Sequence, residues 1–261
     1  MKLFDCFMYN NEDLLLELRL QTLSKFVHKF IIVESCFDHQ GNKKKLNFKI
    51  NNFLIFKNKI KYIVLNKFPK DLSSWERENY NRNFIIKGLN DAKPEDYIMI
   101  SDLDEIPKIS NLKIFEKRKY TAFKQKMFYY RFNLHNISEP DWIGSKVCKK
   151  KYLKSPQWLR NQKVKKYPFW RMDKINWNII EDGGWHFSFV MSHNSIKKKL
   201  ESYAHIEFNK RNYKDIKNIK KNISLKKDLF GRPFKFIKIK NHKKLPKYLL
   251  LNKKKFSKFL I

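Results

Sequence analysis

Three acidic side chains, Asp102, Asp104 and Glu105, follow the apolar run YIMIS at residues 97–101. In an extended backbone, residues i and i+2 point to the same side, so the carboxylates of Asp102 and Asp104 would share one face. Such a pair is typical of a site for Mg²⁺ or Mn²⁺, which takes one or two protein carboxylates together with the oxygens of a diphosphate. We expect Asp104 to ligate the metal directly and Asp102 directly or through water. The alternative is a solvated turn or a helix cap before Pro107.

The first hundred residues predict the elements that would position these acids. Apolar runs of strand length alternate with segments of helical spacing, and the second helical segment opens with Ser73, a residue type that caps helices. The predicted strands lie at residues 2–8, 30–35, 60–65 and 96–101, and the predicted helices at 12–23 and 73–92. This alternation indicates an α/β fold with a mostly parallel sheet flanked by helices. Ligands of such sheets bind at the carboxyl ends of the strands, where Asp102 and Asp104 lie.

Composition indicates one folded and very basic domain. The chain has 261 residues, of which 42% are hydrophobic and 16% aromatic, and a formal net charge of +33. Its three cysteines are odd in number and widely spaced, which indicates reduced thiols rather than disulfides or a zinc site. The sequence shows neither a signal-peptide pattern at the N-terminus nor the roughly 20 consecutive apolar residues that cross a bilayer. We therefore expect a cytoplasmic location.

The second half of the chain is first aromatic and then basic. Residues 120–133 have a strand-like pattern, and five of the six tryptophans fall between residues 142 and 185. These tryptophans either fill the core of a sheet or line a sugar-binding cleft. From residue 195 onward the pattern is helical, with 22 lysines and arginines against four acids. Such a surface is a solvated face, or it binds anionic lipid head groups, acidic glycans or nucleic-acid phosphates.

Two further classes of function stay open on the residues alone. A nucleic-acid-binding protein would use the lysines, with aromatic side chains stacking on bases. The sequence contains no helix-turn-helix, RNP or zinc-finger signature, and this function leaves the paired acids unexplained. A metal-dependent nucleotidyl or phosphoryl transferase would use the same aspartates. The chain has no P-loop of the G-x-x-x-x-G-K-[ST] type, which excludes the commonest member of that class.

The ordered set of motifs along nearly the whole chain resembles glycosyltransferase family 17, whose members have the GT-A fold. The segments that carry the resemblance are FDCFMYNNEDLLLELRLQTL from residue 4, FIIVES at 30–35, WERENYNRNFIIKGL from 75, SDLDEIP at 101–107, GGWHFSF at 183–189 and LPKYLLLNKKKFSKFL at 245–260. The resemblance implies a single GT-A-type, Rossmann-like domain over residues 1–261. Its residues 1–119 would bind the nucleotide-sugar and the metal, and residues 120–261, with a basic helical C-terminal extension, would bind the acceptor.

The implied reaction moves a sugar from a UDP-sugar to a hydroxyl group of a glycan, with inversion at the anomeric carbon. The resemblance alone names the donor as UDP-N-acetylglucosamine. The acceptor is left open between a lipid-linked or surface polysaccharide and a protein glycan. Contact of the lysines with an anionic membrane surface is a further expectation.

The same resemblance assigns roles to individual residues. Glu34, at the end of the second strand, would bind the uracil or the ribose, and Arg82 would bind the diphosphate. His186 would complete the shell of the Mn²⁺ or Mg²⁺ ion or touch the diphosphate, and the metal would offset the charge that develops on UDP. Inversion also needs a base that takes the proton of the acceptor hydroxyl. We expect Glu207 in that role, with Asp182 as the second candidate.

Overall fold

The computed structural model of the protein describes residues 1–165, 167–168, 170–171, 174–202, 209–240 and 244–261. A central sheet runs through the molecule, with helices between and after its strands. This arrangement confirms the predicted α/β fold class and is consistent with a GT-A-type sheet.

The first hundred residues form the parallel part of the sheet. Its elements are β1 (Leu3–Met8), α1 (Asp13–Leu23), β2 (Lys29–Ser35), β3 (Ile60–Leu65), α2 (Ser74–Asn83) and β4 (Tyr97–Ile100). The strands lie in the order β3-β2-β1-β4, and all neighbours in this block are parallel. The predicted strands therefore lie where the sequence pattern placed them. The second helix is shorter than predicted, because the chain tightens into a 3₁₀ turn over Phe84–Gly88.

The following elements extend this sheet. They are β5 (Glu105–Pro107), β6 (Tyr120–Tyr129), β7 (Leu134–Asn136), β8 (Asp141–Lys149), α3 (Pro156–Asn161), β9 (Trp177–Ile180) and β10 (Gly184–Ser188). β8 lies antiparallel between β4 and β6 and so joins the two halves. β6 is also antiparallel to β7 but parallel to β9 and β10. The parallel arrangement is thus a property of β1 to β4, and the second half of the sheet is mixed.

The basic C-terminal quarter is largely helical, as its pattern predicted. It contains α4 (His193–Ser202), α5 (Arg211–Lys214), α6 (Ile216–Ser224), β11 (Phe236–Lys238), α7 (Lys247–Leu251) and α8 (Lys253–Phe256). The short strand β11 pairs antiparallel with β7 and was not predicted. The apolar side chains of α4 and α6, Ile196, Leu200, Ile219 and Ile223, pack into a core cluster beneath these helices.

Apolar side chains cover both faces of the parallel strands. Alternate residues of β1 separate onto two clusters, with Phe7 in one and Phe4 in the other, as the period of two in a strand requires. The cluster around Phe7 also contains Leu249 and Phe256 of the last two helices. Three of the five tryptophans between residues 142 and 185 lie in or against the core clusters: Trp158, Trp177 and Trp185. Trp170 is exposed.

In the part of the chain that the structure describes, no helix is both long and apolar enough to span a lipid bilayer. Cys6, Cys36 and Cys148 are free thiols, as their number and spacing predicted.

Candidate active site

The paired acids lie at the carboxyl end of β4, and they line a cavity of about 470 Å³. Residues that follow β1, β2 and β4 line this cavity, together with residues of β6, β10 and α4. Four of the side chains that the sequence singled out are among them: Arg82, Asp102, Asp104 and His186. The structure therefore brings together residues that lie up to 104 positions apart in the chain, as expected for a ligand site on a parallel sheet.

Arg19 of α1 holds the backbone of the acidic segment. Its fully buried guanidinium forms a bidentate pair with Asp5, with distances of 2.8 and 2.6 Å. The remaining nitrogen, Nη1, donates to the carbonyl oxygen of Glu105 at 2.6 Å and to that of Asp102 at 3.2 Å. A buried guanidinium must satisfy its donors within the protein, so Arg19 fixes the path of residues 102–105 against the first strand.

The carboxylates of Asp102 and Glu105 are held by arginines. Arg160 Nη2 donates to Asp102 Oδ2 at 2.7 Å and to Glu105 Oε1 at 2.6 Å, and its Nη1 donates to Glu105 Oε2 at 2.9 Å. Arg82 Nη2 donates to Asp102 Oδ1 at 3.1 Å. Burial raises the pKa of Asp102, but the charges of Arg160 and Arg82 lower it by more. The pKa of Asp102 therefore lies below its ordinary value. Asp102 is therefore ionised at neutral pH and keeps 36% of its side chain exposed.

Asp104 faces two side chains from the second half of the chain. Its Oδ1 lies 3.6 Å from His186 Nε2, and its Oδ2 lies 3.7 Å from Lys199 Nζ of α4. The same ammonium group lies 3.3 Å from Glu12 Oε1. Burial raises the pKa of Asp104, but Lys199 and His186 lower it well below its usual range. For Glu12, burial outweighs the opposing effect of Lys199, and its pKa is raised.

Buried polar atoms without a hydrogen-bond partner among the described residues concentrate at this cavity. Four of its lining residues carry such an atom: His39 Nδ1, Asn81 Oδ1, Arg82 Nε and His186 Nδ1. Native proteins satisfy the great majority of their buried polar atoms, because an unpaired one costs the free energy of its desolvation. A cluster of unpaired donors and acceptors around one cavity indicates a polar ligand.

Arg232 and aromatic rings form another part of the lining. The guanidinium of Arg232 is paired with the buried carboxylate of Asp228 at 2.7 Å and donates to Tyr129 Oη at 2.9 Å. It also lies over the ring of Phe230, 5.3 Å from its centroid. These contacts fix the direction of a cation that lines the cavity, beside aromatic faces suited to the C–H faces of a sugar.

Glu34 forms its hydrogen bonds with the segment that follows β2 and with β3. Its buried carboxylate accepts hydrogen bonds from Lys44 Nζ at 2.9 Å, from the backbone nitrogens of Asn47 and Phe48 at 2.8 and 3.1 Å, and from Tyr62 Oη at 2.9 Å. It is not among the residues that line the cavity. The carboxylate thus holds the segment after β2, and the predicted contact of Glu34 with uracil or ribose stays a prediction.

Asp182, one of the two candidate bases, does not lie beside the acids. Asp182 lies in the turn between β9 and β10, with 57% of its side chain exposed, and pairs with Lys108 and Lys126, each at 2.9 Å. It does not line the cavity, and its role as the base stays a prediction. Glu207 lies outside the described residues, and its role stays a prediction.

The sequence pattern missed several of the cavity's charged residues. Lys199 and Arg232 come from two separate segments of the second half, and Glu12 comes from the first turn after β1. Arg160, which contacts Asp102 and Glu105 but does not line the cavity, was missed as well. A basic residue on a basic helix, such as Lys199, has no local feature that separates it from its neighbours. Glu12 had a usable signal, because it follows a strand that ends at the same edge as β4.

The donor set at Asp104 suits a divalent ion that also binds phosphate. A carboxylate oxygen of Asp104 and a nitrogen of His186 lie within 3.6 Å of each other, and Asp102 adds a partly exposed carboxylate nearby in the same lining. The described residues contain no group of three or more His, Cys, Asp or Glu side chains that could hold a metal ion by themselves. This set fits Mg²⁺ or Mn²⁺, which take part of their ligands from a diphosphate, and it does not fit a closed zinc site.

Comparison with known proteins agrees with the motifs. The model of the family described as glycosyltransferase family 17 matches residues 1–261. The human beta-1,4-mannosyl-glycoprotein 4-beta-N-acetylglucosaminyltransferase is 24% identical over 228 residues, which cover 76% of this chain and 42% of that protein. The proteins of the same name from Rattus norvegicus and Mus musculus are 24% and 23% identical over the same shares. The chain thus spans about two fifths of the length of these relatives.

Proposed function

Since the chain belongs to glycosyltransferase family 17, we propose that it transfers a sugar from a UDP-sugar to a hydroxyl group of a glycan acceptor, with inversion. The observation that supports this reaction is the cavity at the end of β4, which is lined by the two aspartates that follow β4, by four cationic side chains and by four residues with an unpaired buried polar atom. The aspartates are Asp102 and Asp104, and the cations are Lys44, Arg82, Lys199 and Arg232.

N-acetylglucosamine is the sugar that we propose for the donor. The support is the name of the relatives from human, rat and mouse, which are N-acetylglucosaminyltransferases. The acceptor of those relatives is named as a mannosyl glycoprotein; for this chain a polysaccharide and a protein glycan both remain candidates.

In this proposal Asp104 and His186 hold a Mn²⁺ or Mg²⁺ ion, with Asp102 as a third ligand directly or through water. The bound metal would supply a positive charge that offsets the charge developing on UDP. Arg82 lines the cavity and suits a diphosphate oxygen, because Asp102 already orients its guanidinium and its buried Nε has no hydrogen-bond partner among the described residues. Lys199 adds an ammonium group beside Asp104.

The acceptor hydroxyl must lose a proton as it attacks the anomeric carbon. Glu207 remains our candidate for the base. Among the described residues, Glu12 is a second candidate, since its carboxylate lines the cavity and burial raises its pKa towards that of a useful base.

The family favours this reaction over the alternatives. Nucleic-acid binding would leave the unpaired polar atoms of the cavity without a role. The relatives found are N-acetylglucosaminyltransferases and not nucleotidyl transferases. A cytoplasmic location and contact with an anionic membrane surface stay predictions.

Isothermal titration of UDP tests this proposal, with and without Mn²⁺, on the wild type and on Asp104→Ala. We expect binding that requires Mn²⁺ and that weakens at least about tenfold in the variant. Asp91→Ala is the matched control, because Asp91 is exposed and pairs only with Lys61 in the described contacts. If UDP fails to bind the wild type under every metal condition, the proposal is wrong.

A further inference from the structure

A second cavity of about 370 Å³ adjoins the first. The two share lining residues, among them Glu12, Lys199 and Ser202, so they are neighbouring cavities. The second cavity also reaches the segment after β2 and the outer turns of α4. None of the aspartates at the end of β4 lines it. It therefore lies beside the donor site that we propose and is chemically distinct from it.

Four lysines line the second cavity, and they differ in their partners. Lys44 pairs with Glu34 at 2.9 Å, and Lys199 pairs with Glu12 and Asp104. Lys45 and Lys198 are exposed and have no acidic partner among the described residues. They come from two different elements, the segment after β2 and the helix α4.

The acids that line the second cavity form no ion pair with Lys45 or Lys198 among the described residues. Glu12 is held by Lys199. Asp38 is used by its own turn, where its carboxylate accepts from the backbone nitrogen of Asn42 at 2.8 Å and from Asn42 Nδ2 at 3.1 Å. The cavity thus keeps two ammonium groups that form no ion pair among the described residues.

Uncharged polar side chains complete the lining. Asn10 and Asn11 contribute amides that have no described side-chain hydrogen bond, and each amide can both donate to and accept from a hydroxyl group. Asn11 has a positive φ of 67°, a conformation that asparagine adopts more readily than most residues. Amides beside ammonium groups suit a ligand that carries hydroxyl groups and a negative charge.

We propose that the second cavity binds the acceptor, and that this acceptor is an anionic glycan whose carboxylate or phosphate group lies between Lys45 and Lys198. The inference rests on the proposed transferase function. It assigns the donor diphosphate to Arg82 and Lys199 in the first cavity, and the acceptor's charge to the two lysines that are left.

Ligand-observed NMR titration tests the inference on protein saturated with UDP and Mg²⁺. The probes are methyl β-D-glucuronide, glucose 6-phosphate and the neutral methyl β-D-glucoside. We expect at least one anionic probe to bind about five- to tenfold more tightly than the glucoside, the range that two exposed ion pairs provide. The anion that gains decides between a carboxylate and a phosphate.

The double variant Lys45→Gln/Lys198→Gln should lose this preference and keep its affinity for UDP within about twofold. Lys217→Gln/Lys220→Gln on α6 removes the same charge from exposed positions outside both cavities and should keep the preference.

Equal binding of charged and neutral probes by the wild type would overturn the inference, as would equal losses in both double variants. A drop in UDP affinity in the first variant would also overturn it, since the lysines would then hold the donor. Failure of the wild type to bind UDP would instead overturn the proposed transferase function, on which the inference rests.

Discussion

At the scale of single residues, Arg160 links the acidic segment to the second half of the chain. Its guanidinium makes three short contacts with Asp102 and Glu105, and its Nη1 also donates to the carbonyl oxygen of Gly144 at 3.0 Å. The carboxylate of Glu105 is fully buried and also accepts from Trp142 Nε1 at 2.6 Å. A planar fork with five donors can satisfy this set, whereas one ammonium group cannot.

We therefore expect Arg160→Lys to lower the free energy of unfolding by about 3 kcal/mol, as for other broken buried ion pairs. UDP affinity in Mn²⁺ should fall as well, because Asp102 loses its orientation. Urea unfolding and isothermal titration measure the two effects. Arg118→Lys, at an exposed position, is the control and should change neither. An unchanged midpoint in Arg160→Lys would show that the fork is not needed.

The ionisation of Asp102 gives a prediction for acid stability. Its pKa is lower in the folded protein than the ordinary value of 3.8, through the charges of Arg160 and Arg82. The unfolded chain then binds more protons in that range, so the contribution of Asp102 to stability is fully present above pH 4 to 5 and is lost as the pH falls through the folded pKa.

We expect the difference in unfolding free energy between the wild type and Asp102→Asn to be largest near pH 7 and to shrink steadily below pH 4. Urea titrations at a series of pH values from 7 to 3 measure it. A difference that stays constant over this range would mean that the charge of Asp102 does not contribute.

At the scale of elements, sequence patterns predicted the strands and helices that carry the acids. β1 to β4 are short, apolar and separated by helical segments, and Ser73 caps α2 through a reciprocal pair of hydrogen bonds with Glu76. These features are local, so a sequence carries them directly. The partners of the acids are not local, because Arg160 and Lys199 come from α3 and α4. Those helices are positioned by strand pairing between distant parts of the chain: β8 pairs antiparallel with β4, and β10 pairs with β5 and β6. The partners of Glu34 were not predicted either, since its carboxylate accepts hydrogen bonds from the backbone of the segment after β2.

The start of β10 shows how an element positions a side chain. Gly184 has a φ of +127°, and an added Cβ would lie 2.2 Å from the carbonyl oxygen of Ile106 and 2.8 Å from the backbone nitrogen of Lys108. Two residues later the same strand carries His186, opposite Glu105 in the register with β5.

We expect Gly184→Ala to cost about 3 kcal/mol of stability, from backbone strain together with the clash, and to weaken UDP binding by displacing His186. Gly231→Ala is the control: its φ is +77°, but no atom lies within 4 Å of the added Cβ, so only about 1 kcal/mol of strain is expected. Chemical denaturation and UDP titration report the two effects. Equal costs in the two variants would contradict the role of close packing at β10.

At the scale of the whole molecule, the cavity and the core both depend on distant parts of the chain. The apolar cluster beneath α1 contains Leu3 and Phe7 from the first strand and Leu249 and Phe256 from the last helices. Tyr248 Oη donates to Glu17 Oε1 of α1 at 2.6 Å, which joins the same two regions at the surface. Removing packing at the C-terminal end should therefore be felt in the half that carries the acids.

Phe256→Ala tests the prediction that the chain is a single folding unit. Phe256 is fully buried, and it packs edge-on against Phe132 and Tyr248. Loss of its ring should lower the free energy of unfolding by about 4 kcal/mol. Leu251→Ala, at a position that is 73% exposed, should change it by less than about 0.5 kcal/mol.

In one cooperative domain, tryptophan fluorescence, far-UV circular dichroism and UDP binding will be lost at the same urea concentration, and that concentration will fall in Phe256→Ala for all three. A variant that keeps UDP binding after its fluorescence has changed would divide the chain into two units, with the donor site stable in the first without the packing of the second.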